Sequence, residues 1–176
     1  MLVANARSKA RGAALPVVLA ISSMMLTTSA AWFETSITGT RSATNMRDYL
    51  QAFHAADAAL TLCARMLRSG TAPAMPAAGG EPVGWKRAGA FEGPAAFAPV
   101  PQWPPQWPYS ARTPQCLIET MRLAKRPQAQ AYLLTARGFG ATATTQAWLQ
   151  LEIVFEGDAM ERHWRHIVAR PLGAPS

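Results

Sequence analysis

The side chains best suited to chemistry are few: His54, His163, His166, Cys63 and Cys116. His163 and His166 stand three apart in a segment that alternates like a strand, so they point to opposite faces and do not suit a shared metal. No carboxylate pair accompanies an evident pocket, and no ordering of Ser, His and Asp carries the signature of a nucleophile elbow. Gly138-Phe139-Gly140 has the glycine spacing of a piece of a phosphate-binding loop. Strand-like segments flank it and no helix follows, so a hairpin turn is expected. On paper either cysteine could join a histidine as a nucleophile. Two cysteines outside the cytoplasm serve better as one disulfide, since a pair permits a single intramolecular connectivity. The expectation is a protein that is not an enzyme, holds no metal and uses no cofactor.

The elements that would carry these residues begin with a membrane-length run. Ala13 to Phe33 contains no charge, and at about 1.5 Å per residue it is just long enough to cross a hydrocarbon layer of roughly 30 Å. Arg7, Lys9 and Arg11 precede it without an acidic residue, which keeps the leader cytoplasmic and sends the remainder outward, where a disulfide persists. The formal net charge of +7 is in part these three leader cations. No basic patch is interleaved with aromatics for base stacking, so nucleic acid is not an expected partner.

From Glu34 to Arg68 there is one glycine, Gly39, and no proline, so the apolar run is expected to continue as helix. Its later half is amphipathic: Tyr49, Phe53, Ala56, Leu60, Cys63 and Leu67 recur at helical spacing and are predicted to pack on a sheet. Gly70, Pro73 and Pro76 supply the stop. A helix over 13–68 would be roughly 80 Å long, and Pro16 fits its first turn, where a missing amide hydrogen costs nothing.

Residues 69–113 are dense in Pro, Gly and Ala and end in Gln102-Trp103-Pro104-Pro105-Gln106-Trp107-Pro108, which reads as irregular chain of polyproline character. Its tryptophans would cover a flank of the core or offer a contact surface. From 114 to 176 the period becomes alternating, with strands predicted over 115–121, 130–137, 144–155 and 161–169. In the third, Ala147, Leu149, Leu151, Ile153 and Phe155 share one face, opposite Gln146, Gln150, Glu152 and Glu156. Short connections make the neighbours antiparallel. The predicted fold is α+β, a long helix packed by its second half on a four-stranded antiparallel sheet. Cys63 on the helical stripe and Cys116 at the start of the first strand could then meet. A crosslink over that span would be worth about 3 to 4 kcal/mol in the chain-entropy model.

A basic leader ending in glycine, an uncharged span, an amphipathic continuation, a variable loop and an antiparallel sheet resemble a type IV pilin. More specifically, Asn45-Met46-Arg47-Asp48-Tyr49-Leu50-Gln51-Ala52-Phe53-His54-Ala55-Ala56-Asp57-Ala58-Ala59-Leu60 is similar to the pattern N-x-R-D-x-x-x-A-F-x-A-A-E-A-A-L of PilX-type minor pilins, with Asp57 where glutamate is commoner. Leu134 to Ala141 and Thr145 to Gln150 resemble that family's closing hairpin. The resemblance covers Arg11 to Leu67 and Tyr132 to Phe155.

The resemblance implies that a prepilin peptidase cuts residues 1–12 away after Gly12 and methylates the new amine of Ala13. It implies an inner-membrane protein with a periplasmic C-terminal part. Its partners would be other minor pilins, the major pilin and the inner-membrane assembly platform, and its final place a surface pilus. Major pilins carry glutamate at the fifth residue after the cut, where it neutralises a neighbouring amine; here that residue is Val17. Because burying an unpaired ammonium costs several kcal/mol, Val17 suits a subunit that primes assembly at or near the filament tip. Rival readings are a minor pseudopilin of a type II secretion system, and a secreted or anchored periplasmic domain. In the secreted case, the small residues Thr27 to Ala31 would be cut by signal peptidase after Ala30.

Overall fold

The computed structural model describes residues 14–76, 81–87, 89–97, 110–165 and 167. Its first element, α1, is a continuous helix over Ala14–Arg68. Four strands follow: β1, Gln115–Met121; β2, Gln130–Phe139; β3, Gln146–Glu156; and β4, Ala159–Arg165. They form one antiparallel meander in the order β1-β2-β3-β4. This is the expected α+β architecture. Two compact units divide the chain at Asn45 and Met46, and the sheet belongs to the second.

The end of α1 is a Schellman cap. Gly70 takes φ 70°, which lets its amide donate to Leu67 O (3.1 Å) and the Thr71 amide to Met66 O (3.0 Å), so carbonyls of the last turn find partners. β1 has its predicted bounds, whereas three strands differ. β2 runs on through Gly138 and Phe139, so the glycine pair straddles the strand end rather than forming the turn. β3 begins at Gln146, after a tight connection closed by Gly140 N to Thr145 O at 2.9 Å. β4 begins at Ala159 because Gly157, at φ 58°, allows a two-residue turn with Asp158. Of the predicted continuation of β4 only residue 167 is described, and it is not in a strand.

Alternation and register together sort the core. Cys116 and Ile118 of β1, Leu134 and Ala136 of β2, and Ala147, Leu151 and Ile153 of β3 face α1, and meet Ala52, Ala56, Ala59, Leu60, Cys63 and Ala64 there. Leu67 is partly buried against the same cluster. The predicted packing of Tyr49 and Phe53 is corrected: they are 50% and 37% exposed, and alanines take their place. The Tyr49 to Leu67 series keeps the 3.6-residue period, but the buried face also takes in Ala52, Ala55 and Ala59, which lie to one side of that stripe, so the face that meets the sheet is turned relative to it. Ala56, Leu60 and Cys63 stay on the sheet, and the two aromatic positions rotate to the flank.

The opposite face of the sheet is covered as well. Leu117, Leu133, Thr135, Arg137, Gln150 and Val154 are buried there although no helix packs on them. Part of the cover is the segment around the 3-10 turn Gly84–Lys86: Phe91 is buried and meets Trp148 edge-to-face, with ring centroids 4.7 Å apart. The Gln150 amide donates to the Thr135 hydroxyl at 3.0 Å, so a face that reads as polar in the sequence is a buried, paired one. The outer edge of β1 is paired too. Met75 N donates to Ile118 O at 2.8 Å, Thr120 N to Met75 O at 2.9 Å, and Phe97 exchanges both backbone bonds with Cys116.

Candidate functional site

The first feature with functional content is the start of α1. Leu15, Val17, Val18, Leu19, Ile21, Met24, Met25 and Leu26 are all more than half exposed or at half, as are Trp32 and Phe33 beyond them. The helix is long and apolar enough to cross a membrane, and none of its apolar window is buried within the chain. Four hydroxyls in this window bond within the helix. Ser23 donates to Ala20 O, Thr27 to Met24 O, Thr28 to Met24 and Met25 O, and Ser29 to Met25 O, all at 2.8–3.0 Å. Each returns its hydrogen to a carbonyl of the preceding turn, so none requires a solvent partner. Val17 lies on this segment. Gly12, Ala13, His166, Trp103 and Trp107 lie outside the described residues.

The second feature is the junction between α1 and β2. A Cβ at Gly138 would collide with Ala52 O and Ala56 N and stand 3.0 Å from Ala56 Cα, so here the two backbones are in contact. A glycine inside a strand pattern is the sequence signal for such an approach, and the alanine-rich face of the helix is its complement. Neither was read from the sequence. One turn earlier, Asp48 Oδ1 accepts from Ala141 N, and a Cβ at Gly140 would run into that carboxylate. The Asp48 side chain thereby fixes the β2–β3 connection to the helix.

The third feature ties the Pro/Gly-rich segment down. Cys63 and Cys116 form the disulfide, with Cα atoms 6.6 Å apart and a sequence separation of 53. Both cysteines are fully buried in the helix–sheet core, and the crosslink closes a loop over the whole Pro/Gly-rich segment. The middle of that loop is latched by a residue the sequence did not single out. Glu119, on the outer face of β1, accepts from Gly84 N at 2.7 Å and from Trp85 N at 3.2 Å. Burial pushes its carboxyl above the ordinary value of 4.5, and the two amide donors offset this in part. At the other end of the β1–β2 pairing, Glu92 accepts from Arg137 at 2.8 Å and Arg112 at 3.2 Å, which hold its carboxyl below the ordinary value. The Arg137 guanidinium also lies over the Phe139 and Trp148 rings, at 4.6 and 5.4 Å.

These two carboxylates give opposite pH dependences in separate windows. The native state holds the Glu119 proton more tightly than the unfolded chain does. Its contribution is therefore complete below pH 4.5 and is lost as the pH rises through its raised value. Glu92 contributes above 4.5 and loses its contribution as the pH falls through its depressed value. Glu119→Gln cannot titrate. The melting temperature of wild type minus that of E119Q is thus expected to fall as the pH rises from 4.5 towards 8. A difference that stays constant across that range would show that Glu119 is not the linked group.

The two described histidines lie on separate elements. His163 Nε2 lies 3.4 Å from Glu161 on the exposed β4, and His54 sits edge-on to Phe53. Among the described residues no group of three or more His, Cys, Asp or Glu side chains could hold a metal ion. In comparisons with protein-family models, characterised proteins and solved structures, no match to this chain is found.

Proposed function

We propose that this chain is a minor pilin that takes part in type IV pilus assembly and sits at or near the filament tip. The observation that carries the reading is the single helix Ala14–Arg68, whose start is uncharged and wholly exposed and whose end is the core of an α+β domain. A span needed only as an anchor has no reason to continue without a break into a domain core. A subunit whose span leaves the bilayer to pack among other helices has that reason, since the helix must carry the domain with it. Back-bonded Ser and Thr hydroxyls serve both environments, lipid and a helical filament core. The likeness of Asn45 to Leu60 to the PilX-type pattern adds the choice of pilus over other filament systems.

In this reading the prepilin peptidase cleaves after Gly12 and methylates Ala13, and the partners are other minor pilins, the major pilin and the inner-membrane platform. Val17 replaces the acid that would neutralise a neighbouring amine, which favours a terminal place over a repeating one. Mass spectrometry of the mature protein is expected to find an N-methylated Ala13 as first residue, and deletion of the gene to reduce surface fibres. A mature start at Ala31 would mean a secreted domain, and an intact Met1 a plain anchor. Immunogold label spread evenly along the shaft would refute the tip assignment.

A further inference from the structure

The helix covers β1 to β3 but is too narrow to cover β4, and the step between them is a cavity of about 190 Å³. Its floor is Leu60, Ala64 and Leu151, all buried. One wall is the last two turns of α1, with Thr61, Arg65 and Arg68; the other is the helix-side face of β4, with Arg162 and Trp164. The register accounts for this placement. Arg162 is opposite Ile153 and Trp164 opposite Leu151, so both point to the side where the helix lies, beyond its reach. Trp164 is 62% exposed at the rim.

The charge around this cavity is one-sided. Elsewhere on the second unit the cations Arg165, Arg112, Arg137 and Arg126 each face a carboxylate, Arg165 with Glu81, Arg112 and Arg137 with Glu92, and Arg126 with Glu156 and Glu161. Arg65, Arg68 and Arg162 form no ion pair among the described residues, and no carboxylate lines the cavity. The negative end of the helix dipole accounts for a cation at positions 65 and 68. It does not account for Arg162, which comes from another element and crowds the same space. Like charges gathered over an apolar floor favour a ligand that brings carboxylates and one apolar side chain together.

We propose that this groove docks an acidic segment of a partner protein, with carboxylates on Arg65, Arg68 and Arg162 and one aliphatic or aromatic side chain in the cavity against Leu60, Leu151 and Trp164. Guanidinium groups take carboxylates through paired hydrogen bonds, and a filled apolar pocket at the centre of a charged rim is the usual arrangement of a binding anchor. A polyphosphate or a lipid headgroup would meet the charges but leave the apolar floor empty. The proposal is independent of the filament reading, since it rests on the second unit alone.

The test uses the full chain in zwitterionic lipid nanodiscs. A fluorescein-labelled peptide, Gly-Asp-Glu-Leu-Asp-Glu-Gly, is titrated by anisotropy beside its Asn/Gln counterpart. The acidic peptide is expected to bind, with affinity falling as salt rises, and its amide counterpart not to bind. Arg65→Gln with Arg162→Gln should weaken binding about tenfold, given two exposed ion pairs lost. Trp164→Ala should weaken it without changing the salt dependence. Arg122→Gln with Lys125→Gln removes the same charge elsewhere and should leave affinity within twofold. The proposal is overturned by any of four results: no binding at millimolar peptide, equal binding of the amide peptide, equal loss in the Arg122 and Lys125 variant, or release of the peptide by phosphatidylglycerol in the disc, which would make a lipid the occupant. Unchanged melting temperatures of the variants separate loss of binding from loss of fold.

Discussion

Gly138→Ala is expected to destabilise the helix–sheet domain by about 3 kcal/mol or more, at the upper end of what overpacking costs, because the added methyl meets backbone rather than a movable side chain. Its obstacles are Ala52 O, Ala56 N and Ala56 Cα, atoms fixed by the hydrogen bonds of α1. Relief requires the helix to lift from β2, and that exposes Ala52, Ala56 and Ala59, each fully buried now. Thermal melting of the full chain in detergent micelles should show a fall on the order of 10 °C. Gly39→Ala is the matched control: it sits in the helix with nothing within 4 Å of its would-be Cβ, so the higher helix propensity of alanine should leave stability equal or raise it. Equal melting temperatures for G138A and wild type would mean that the two backbones are not in contact at β2.

Removing the Cys63–Cys116 crosslink is expected to cost about 4 kcal/mol, the loop-closure entropy returned to the unfolded chain for a loop of this size. The double variant Cys63→Ala with Cys116→Ala and the reduced wild type should unfold at nearly the same denaturant concentration, both well below the oxidised protein. The latch at Glu119 and the backbone bridges at Met75 and Phe97 stay in the native state, so the folded structure persists with less margin. A loss below about 1 kcal/mol would show that loop closure is not what the disulfide contributes.

What was legible in the sequence is what depends on neighbours along the chain. The uncharged run from Ala13, the absence of proline from Glu34 to Arg68 and the glycine at position 70 give the helix and its end to within one residue. Alternation places β1 with its true bounds and sorts Ala147, Leu151 and Ile153 onto the core face of β3. Strand ends were less legible. They depend on which turn closes, and the left-handed Gly157 permits a shorter one than its surroundings suggest. The pairing of Cys63 with Cys116 needed only that one helix face meet one strand end.

Three features are set by distances between segments far apart in the chain. The rotation of α1 about its axis is decided by Gly138, which admits alanines and turns Tyr49 and Phe53 outward; period alone cannot distinguish faces tens of degrees apart. Gln150 reads as a residue of a polar face, and nothing along the chain marks Glu119 or Thr135 as buried. They are buried because the segment around Gly84 and Phe91 folds back onto the sheet, and its Pro/Gly composition carries no periodicity to announce it. The arginine groove arises because a helix is narrower than four strands. The sequence determined the elements and the membrane-length start by local sterics and hydrophobic period, and the tertiary structure decided which surfaces meet, because only contact between distant segments fixes how closely two backbones can approach.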